Sequence, residues 1–129
     1  MPVRYDKAMS GLTGGSRTGF SSKSFHASLK PLGGLYVVLE QVGKEWKIIY
    51  CGKGKNLQNR LYGNLLNGQP RSHTLSAKLI KKRGLGGKPN VKKFLISSCA
   101  VRCYYEDDAR ERTFAEHYCI SMFRPEMND

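Results

Sequence analysis

Gly34-Leu35-Tyr36-Val37-Val38-Leu39 and Trp46-Lys47-Ile48-Ile49-Tyr50-Cys51-Gly52 are the two runs that decide how this chain folds. Each is short, apolar and rich in β-branched and aromatic residues, which predicts a strand. The connection Gln41-Val42-Gly43-Lys44-Glu45 is polar with a central glycine and suits a hairpin turn. Alternation along the returning strand predicts that Trp46, Ile48 and Tyr50 share one face.

Downstream of this hairpin the period changes. After the glycine-rich link 51–55, Asn56 is placed to cap a helix over Leu57 to Leu66 whose core stripe is Leu57, Leu61 and Leu65. Gly68 and Pro70 stop it. A second helix is expected from Thr74 to Arg83, with Leu75, Leu79 and Ile80 inward. Residues 91–96 suit helix or strand equally. Ser98 to Tyr105 alternates and predicts a third strand with Cys99, Val101, Cys103 and Tyr105 on one face. The last helix runs from Asp108 to Phe123, with Asp108 as N-cap and Glu111 completing a capping-box pattern. Residues 1–32, rich in Gly and Ser and without an apolar period, are expected to form a flexible basic leader to a domain at 33–129. The fold class is therefore α+β: a small three-stranded, mainly antiparallel sheet packed with about three helices.

At 129 residues and 40% hydrophobic content, the chain is sized for one modest core. It has no apolar run of membrane-spanning length and no secretory leader, so an intracellular protein, cytoplasmic or nucleoid-associated, is expected. The four cysteines, Cys51, Cys99, Cys103 and Cys119, form no C-x-x-C pair and read as reduced, mostly buried thiols; a zinc site from Cys99, Cys103 and His117 would match no usual spacing. Charge is unevenly placed. Of the net +12, the central block is the source: residues 44–93 hold thirteen Lys and Arg against one acid, Glu45. Such a field attracts polyanions, and nucleic acid is the partner it fits best, ahead of an anionic membrane or a merely solvated face. Lys55, Arg71, Lys78, Lys81, Lys82, Arg83, Lys88, Lys92 and Lys93 are the candidate nucleic-acid contacts.

One carboxylate interrupts the final helix. Ala109, Thr113, Glu116, Ile120 and Phe123 are spaced four, three, four and three residues apart and share a face, which places Glu116 within an apolar stripe. A carboxylate there is ion-paired, neutralised or bound to a metal.

Together these residues resemble the GIY-YIG nuclease family. Gly34-Leu35-Tyr36 and Tyr50-Cys51-Gly52 match the two halves of its signature, with Leu and Cys in place of isoleucine. Lys53 follows the second half, and Arg60 stands ten residues after Tyr50, where the family carries its catalytic arginine. Glu116 matches the metal-binding glutamate; Asp107-Asp108 before its helix, and Pro125 and Asn128 nine and twelve residues after it, complete the pattern over residues 33–128. Each piece alone is weak, whereas the ordered set is specific. Asn64 departs from members, notably restriction enzymes, that have histidine one turn after the arginine.

The resemblance implies a metal-dependent endonuclease. Glu116 would hold one Mg²⁺ or Mn²⁺ ion, Arg60 would neutralise the phosphate, and Tyr36 or Tyr50 would activate water with help from Lys53. Tyr36 is the favoured base, and Asn128 would brace the site. The expected substrate is nucleic acid, double-stranded DNA before RNA, cut by a monomer or homodimer. Free-standing phage or mobile-element enzymes resemble the chain better than larger repair nucleases, and a restriction enzyme fits the same pattern. The competing reading is a non-catalytic DNA- or RNA-binding module of the same fold within a larger assembly, in which both tyrosines only pack on the sheet and Asn128 only caps a turn.

Overall fold

A computed structural model describes residues 5–128. Strands β2 (Gly34–Val42) and β3 (Glu45–Gly54) form the expected hairpin, and Gly43 turns it with φ of 63°, a conformation that a Cβ would oppose. β4 (Cys99–Tyr105) pairs antiparallel with β2. The sheet differs from expectation in having four strands, in the order β1-β4-β2-β3. The extra strand, β1 (Thr18–Gly19), pairs antiparallel with β4. Two residues are too few to show alternation, so β1 is legible only once β4 offers its edge.

The expected leader is ordered where it is described. α1 (Asp6–Gly14) buries Ala8 and Leu12, and α2 (Phe25–Ser28) buries Phe25; Phe20 and Leu29 are buried as well. The apolar residues in this stretch are sparse but well spaced, and the sheet supplies what they bury against. Residues 1–4 and 129 lie outside the described residues.

Two cores sandwich the sheet. On one face Tyr36, Val38, Tyr50, Cys99 and Val101 meet Leu57, Leu61, Leu65, Leu75, Leu79 and Leu95. The other face packs Leu35, Val37, Leu39 and Cys51 against Leu12, Ala115 and Cys119. Residues 91–96 are helical, within α4 (Lys88–Ser98), because Val91 and Leu95 seat one turn apart in the first core. α3 (Thr74–Arg83) and α5 (Ala109–Phe123) match their expected spans. Asp108 caps α5 by accepting from the Arg110 and Glu111 N–H groups, while its own N–H donates to Glu106 rather than to the Glu111 expected of a capping box.

Two local irregularities position the site. Asn56 does accept from the Asn59 N–H, but the helix that follows is a π-helix over Asn59–Leu66, closed by Asn67 N–H donating to the Tyr62 carbonyl. Its widened turn keeps Leu57, Leu61 and Leu65, four residues apart, over one buried seam. The second irregularity is a β-bulge: Val38 pairs with Tyr50, but Leu39 pairs with Ile48, leaving Ile49 as the extra residue. Trp46 and Ile48 therefore pack on the α1–α5 face, and Tyr50 turns to the opposite one. The expected common face for Trp46, Ile48 and Tyr50 is broken, since one inserted residue reverses every side chain beyond it.

Candidate active site

The bulge brings Tyr50 onto the face of Tyr36, with ring centroids 6.2 Å apart. Tyr36 is fully buried and Tyr50 is 7% exposed. Gly52 lies against the Tyr36 ring: a Cβ there would sit 2.6 Å from the Tyr36 hydroxyl, so the glycine of the second half-signature is demanded by the tyrosine of the first.

A third ring completes the cluster, one that sequence reasoning missed. His73 precedes α3, is buried, and places Nε2 2.6 Å from the Tyr36 hydroxyl. Its ring lies 6.0 Å from that of Tyr36 and 5.6 Å from that of Tyr50. The Leu75 N–H donates to Nδ1 at 3.0 Å, which leaves the proton of the neutral ring on Nε2. Burial, reinforced by the positive charges of Arg60 and Lys88, lowers the His73 pKa to about 3, so the ring is neutral. Nε2–H therefore donates to the Tyr36 oxygen, and the Tyr36 proton is free to point elsewhere. The only local signal was a polar residue at the start of an apolar-periodic helix, which reads as an N-cap; its contact with Tyr36 spans 37 residues.

Arg60 lies on the π-helix and donates to the Ser72 carbonyl at 3.1 Å, which fixes its guanidinium near the ring cluster. Burial raises both tyrosine pKa values; each is further raised by neighbouring negative charge and pulled back by Arg60. Glu116 is half-buried on the flank of α5, whose most buried positions are Arg112, Ala115 and Cys119. Burial raises its pKa, against the pull of Lys53, His117 and Arg60. The Glu116 charge also raises the Tyr50 pKa. Among the described residues it forms no ion pair, unlike Glu40 and Glu126.

A desolvated, unpaired carboxylate beside a cationic rim is a fitting single ligand for a hard divalent ion completed by water and phosphate oxygens. The described residues contain no cluster of three or more His, Cys, Asp or Glu for an all-protein cage. Cys99 and Cys103 face the first core, whereas exposed His117 lies on α5 across the sheet, so the zinc alternative does not form; all four cysteines are free thiols.

Asn128 clasps the site from the C-terminal end. Its Oδ1 accepts from the Cys51 N–H at 2.8 Å and its Nδ2 donates to the Cys51 carbonyl at 2.9 Å. Arg83 fastens the same segment, bridging Glu40 at 2.9 Å and Glu126 at 3.0 Å. That engagement removes Arg83 from the free basic surface.

Three other candidate contacts are also engaged within the chain: Lys82 donates to the Glu126 carbonyl, Lys88 to the Leu65 carbonyl and Lys92 to Asn67. Lys55, Arg71, Lys81 and Lys93 are exposed and Lys78 is half-exposed. Lys53 and Lys55 form a ridge between two open pockets, one walled by Asn59, Arg60 and Asn64 and the other by Ala109, Arg112 and Thr113. Among the described residues no helix is long and apolar enough to cross a membrane.

No protein-family model and no curated protein matches the chain. Solved structures do. The GIY-YIG N-terminal endonuclease domain of UvrC from Thermotoga maritima, as a tyrosine-to-phenylalanine variant bound to its catalytic divalent cation, aligns with a TM-score of 0.51 and 18% identity, covering 100% of this chain and 99% of that one. A second such variant of the domain gives 0.51 and 17% over the same shares. The architecture matches end to end, and the chain has the GIY-YIG nuclease fold.

Proposed function

We propose that this protein is a metal-dependent endonuclease that hydrolyses phosphodiester bonds of DNA. The observation that carries the reading is convergence. Tyr36, Tyr50 and Glu116 come from three separate elements, and Arg60 acts electrostatically on all three. The solved domain of the same fold holds a catalytic divalent cation.

Glu116 would hold one Mg²⁺ or Mn²⁺ ion, which when bound supplies Lewis-acid stabilisation and a more acidic water. Arg60, fixed through the Ser72 carbonyl, offers its planar fork to the phosphate as charge develops. Tyr50 would take the proton of the attacking water as a phenolate, the form that the Arg60 charge favours and a bound cation would favour further. Some of its surface is exposed, whereas that of Tyr36 is not, and it neighbours both Arg60 and Glu116. This assignment departs from the preference for Tyr36 stated from the sequence. Tyr36 backs Tyr50, oriented by the Nε2–H of His73, and Lys53 lowers the negative potential around Glu116. Asn128 holds the backbone next to Tyr50 in register. Lys55, Arg71, Lys78, Lys81 and Lys93 track the phosphate backbone, which makes binding steeply salt-dependent.

The test is supercoiled plasmid DNA incubated with Mg²⁺ or Mn²⁺, beside EDTA and a Glu116→Ala variant. Metal-dependent nicking or linearisation that the variant lacks is expected. Binding of DNA without cleavage in any metal would replace this reading with a non-catalytic nucleic-acid-binding module.

A further inference from the structure

A cavity of about 730 Å³ lies away from the site. It opens between the C-terminal end of α1, β1 and the hairpin end of the sheet, with Arg17, Trp46, Ser97, Ser98 and Arg102 in its wall. Trp46 pairs with Gln41, five residues along β2 from Tyr36, or about 17 Å at the rise of a strand. Arg102 pairs with Val37 and so lies on the α1–α5 face, opposite the Tyr36 and Tyr50 rings. The cavity is thus separated from the proposed active site by both distance and face.

Its charge is unbalanced. Among the described residues two arginines line it and no aspartate or glutamate does. Arg102 is anchored, its Nε donating to the Gly15 carbonyl at 2.8 Å and its Nη1 to that of Leu12 at 3.4 Å, which satisfies the end of α1. Burial and the repulsion of Arg17 both lower the Arg102 pKa, so the two guanidinium groups sense each other without a carboxylate between them. Arg17 is exposed, and its guanidinium carbon rests 4.7 Å over the Trp46 ring. An anion between the two groups would relieve their repulsion. A guanidinium drawn off the indole would uncover a stacking surface for a nucleobase. The volume lies within the range of about 300–1,000 Å³ typical of small-molecule sites.

We propose that this cavity is a second binding site, for a phosphorylated nucleotide: Arg17 and Arg102 hold the phosphate and Trp46 stacks the base. The nucleotide comes either free or as one unit of a nucleic-acid strand. The proposal stands whether or not the chain cuts nucleic acid, because none of its residues belongs to the proposed active site.

Trp46 is the only tryptophan, so its emission reports on the cavity directly. The protein is titrated in EDTA with a nucleoside 5′-monophosphate, the matching nucleoside and a short single-stranded oligonucleotide, with calorimetry alongside. At least one phosphorylated probe is expected to shift the emission saturably, while the nucleoside leaves it unchanged. Arg17→Gln, a change at an exposed side chain, weakens that binding about tenfold or more, as expected for loss of a charge-assisted hydrogen bond. Glu116→Ala leaves it intact. Saturation by the monophosphate assigns the site to a free nucleotide, and saturation by the oligonucleotide alone assigns it to a strand. No saturable response to either phosphorylated probe, an equal response to the nucleoside, or an unchanged calorimetric affinity in a folded Arg17→Gln protein would overturn the proposal.

Discussion

The two ends of the β2–β3 ladder follow different rules, and Ile49 divides them. Toward the turn, Leu39, Trp46 and Ile48 alternate as an ordinary amphipathic hairpin. Toward the site, Tyr36 and Tyr50 share one face, Gly52 makes room for a hydroxyl, and a histidine from another element closes over them. Regular alternation suffices to build a sheet. Bringing two tyrosines together required breaking it by one residue, and bulges are concentrated next to active sites for this reason.

The severest way to break this contrast is to remove the hydroxyl that the bulge turns toward Tyr36. Tyr50→Phe keeps the ring and the bulge, and plasmid cleavage should fall by about 10²–10⁴-fold, the range for losing a general base. Urea unfolding should change by no more than about 1.5 kcal/mol, the worth of one hydrogen bond. Cleavage that survives the substitution would separate the bulge from the chemistry.

Gly52→Ala attacks the same end by volume. The added methyl meets the Tyr36 ring, so a stability loss of about 1–3 kcal/mol is expected, together with a fall in kcat, read by denaturation and cleavage rates. An unperturbed protein would mean that Tyr36 has room to retreat.

His73 makes a pH prediction. The folded ring has a pKa of about 3, against an ordinary value near 6.5 in the unfolded chain. The unfolded state therefore binds the proton first as pH falls, and stability declines between about pH 6.5 and 3. Above that window the contribution is constant. The decline from this residue is at most on the order of 5 kcal/mol. His73→Gln should flatten that part of the stability–pH curve in thermal melts and slow cleavage by about tenfold through loss of the Tyr36 hydrogen bond. An identical curve in the variant would remove His73 as its source.

At the turn end the effects shrink. Gly43→Ala places a Cβ at φ of 63°, which costs about 1–2 kcal/mol, with cleavage rates unchanged. Loss of activity there would show that the two ends are not independent.

Much of the site was legible because its signals are local. Asn56 caps, Leu75 and Leu79 face inward, Asp108 starts the last helix, and the spacing among Tyr36, Tyr50, Arg60 and Glu116 lies on the page of the sequence. The helices at 74–83 and 109–123 follow from a 3.6-residue period that needs no partner to be read. What was missed depends on contacts distant in the chain. β1 exists because β4 has an open edge, and α1 is held because Leu12 finds the far face of the sheet. Arg83 looked like one more surface cation in a basic run until Glu40 and Glu126 met it from 43 residues away on either side.

The sequence by itself determined the order of the elements, the α+β class and the residue types available for chemistry, since period, capping and charge are properties of short stretches. Only the tertiary structure decided which face Tyr50 occupies, that His73 is neutral with its proton on Nε2, and that Glu116 forms no ion pair among the described residues. A side chain's face, tautomer and ionisation depend on the neighbours that desolvate and hydrogen-bond it, and those neighbours are gathered by packing rather than by adjacency in the chain.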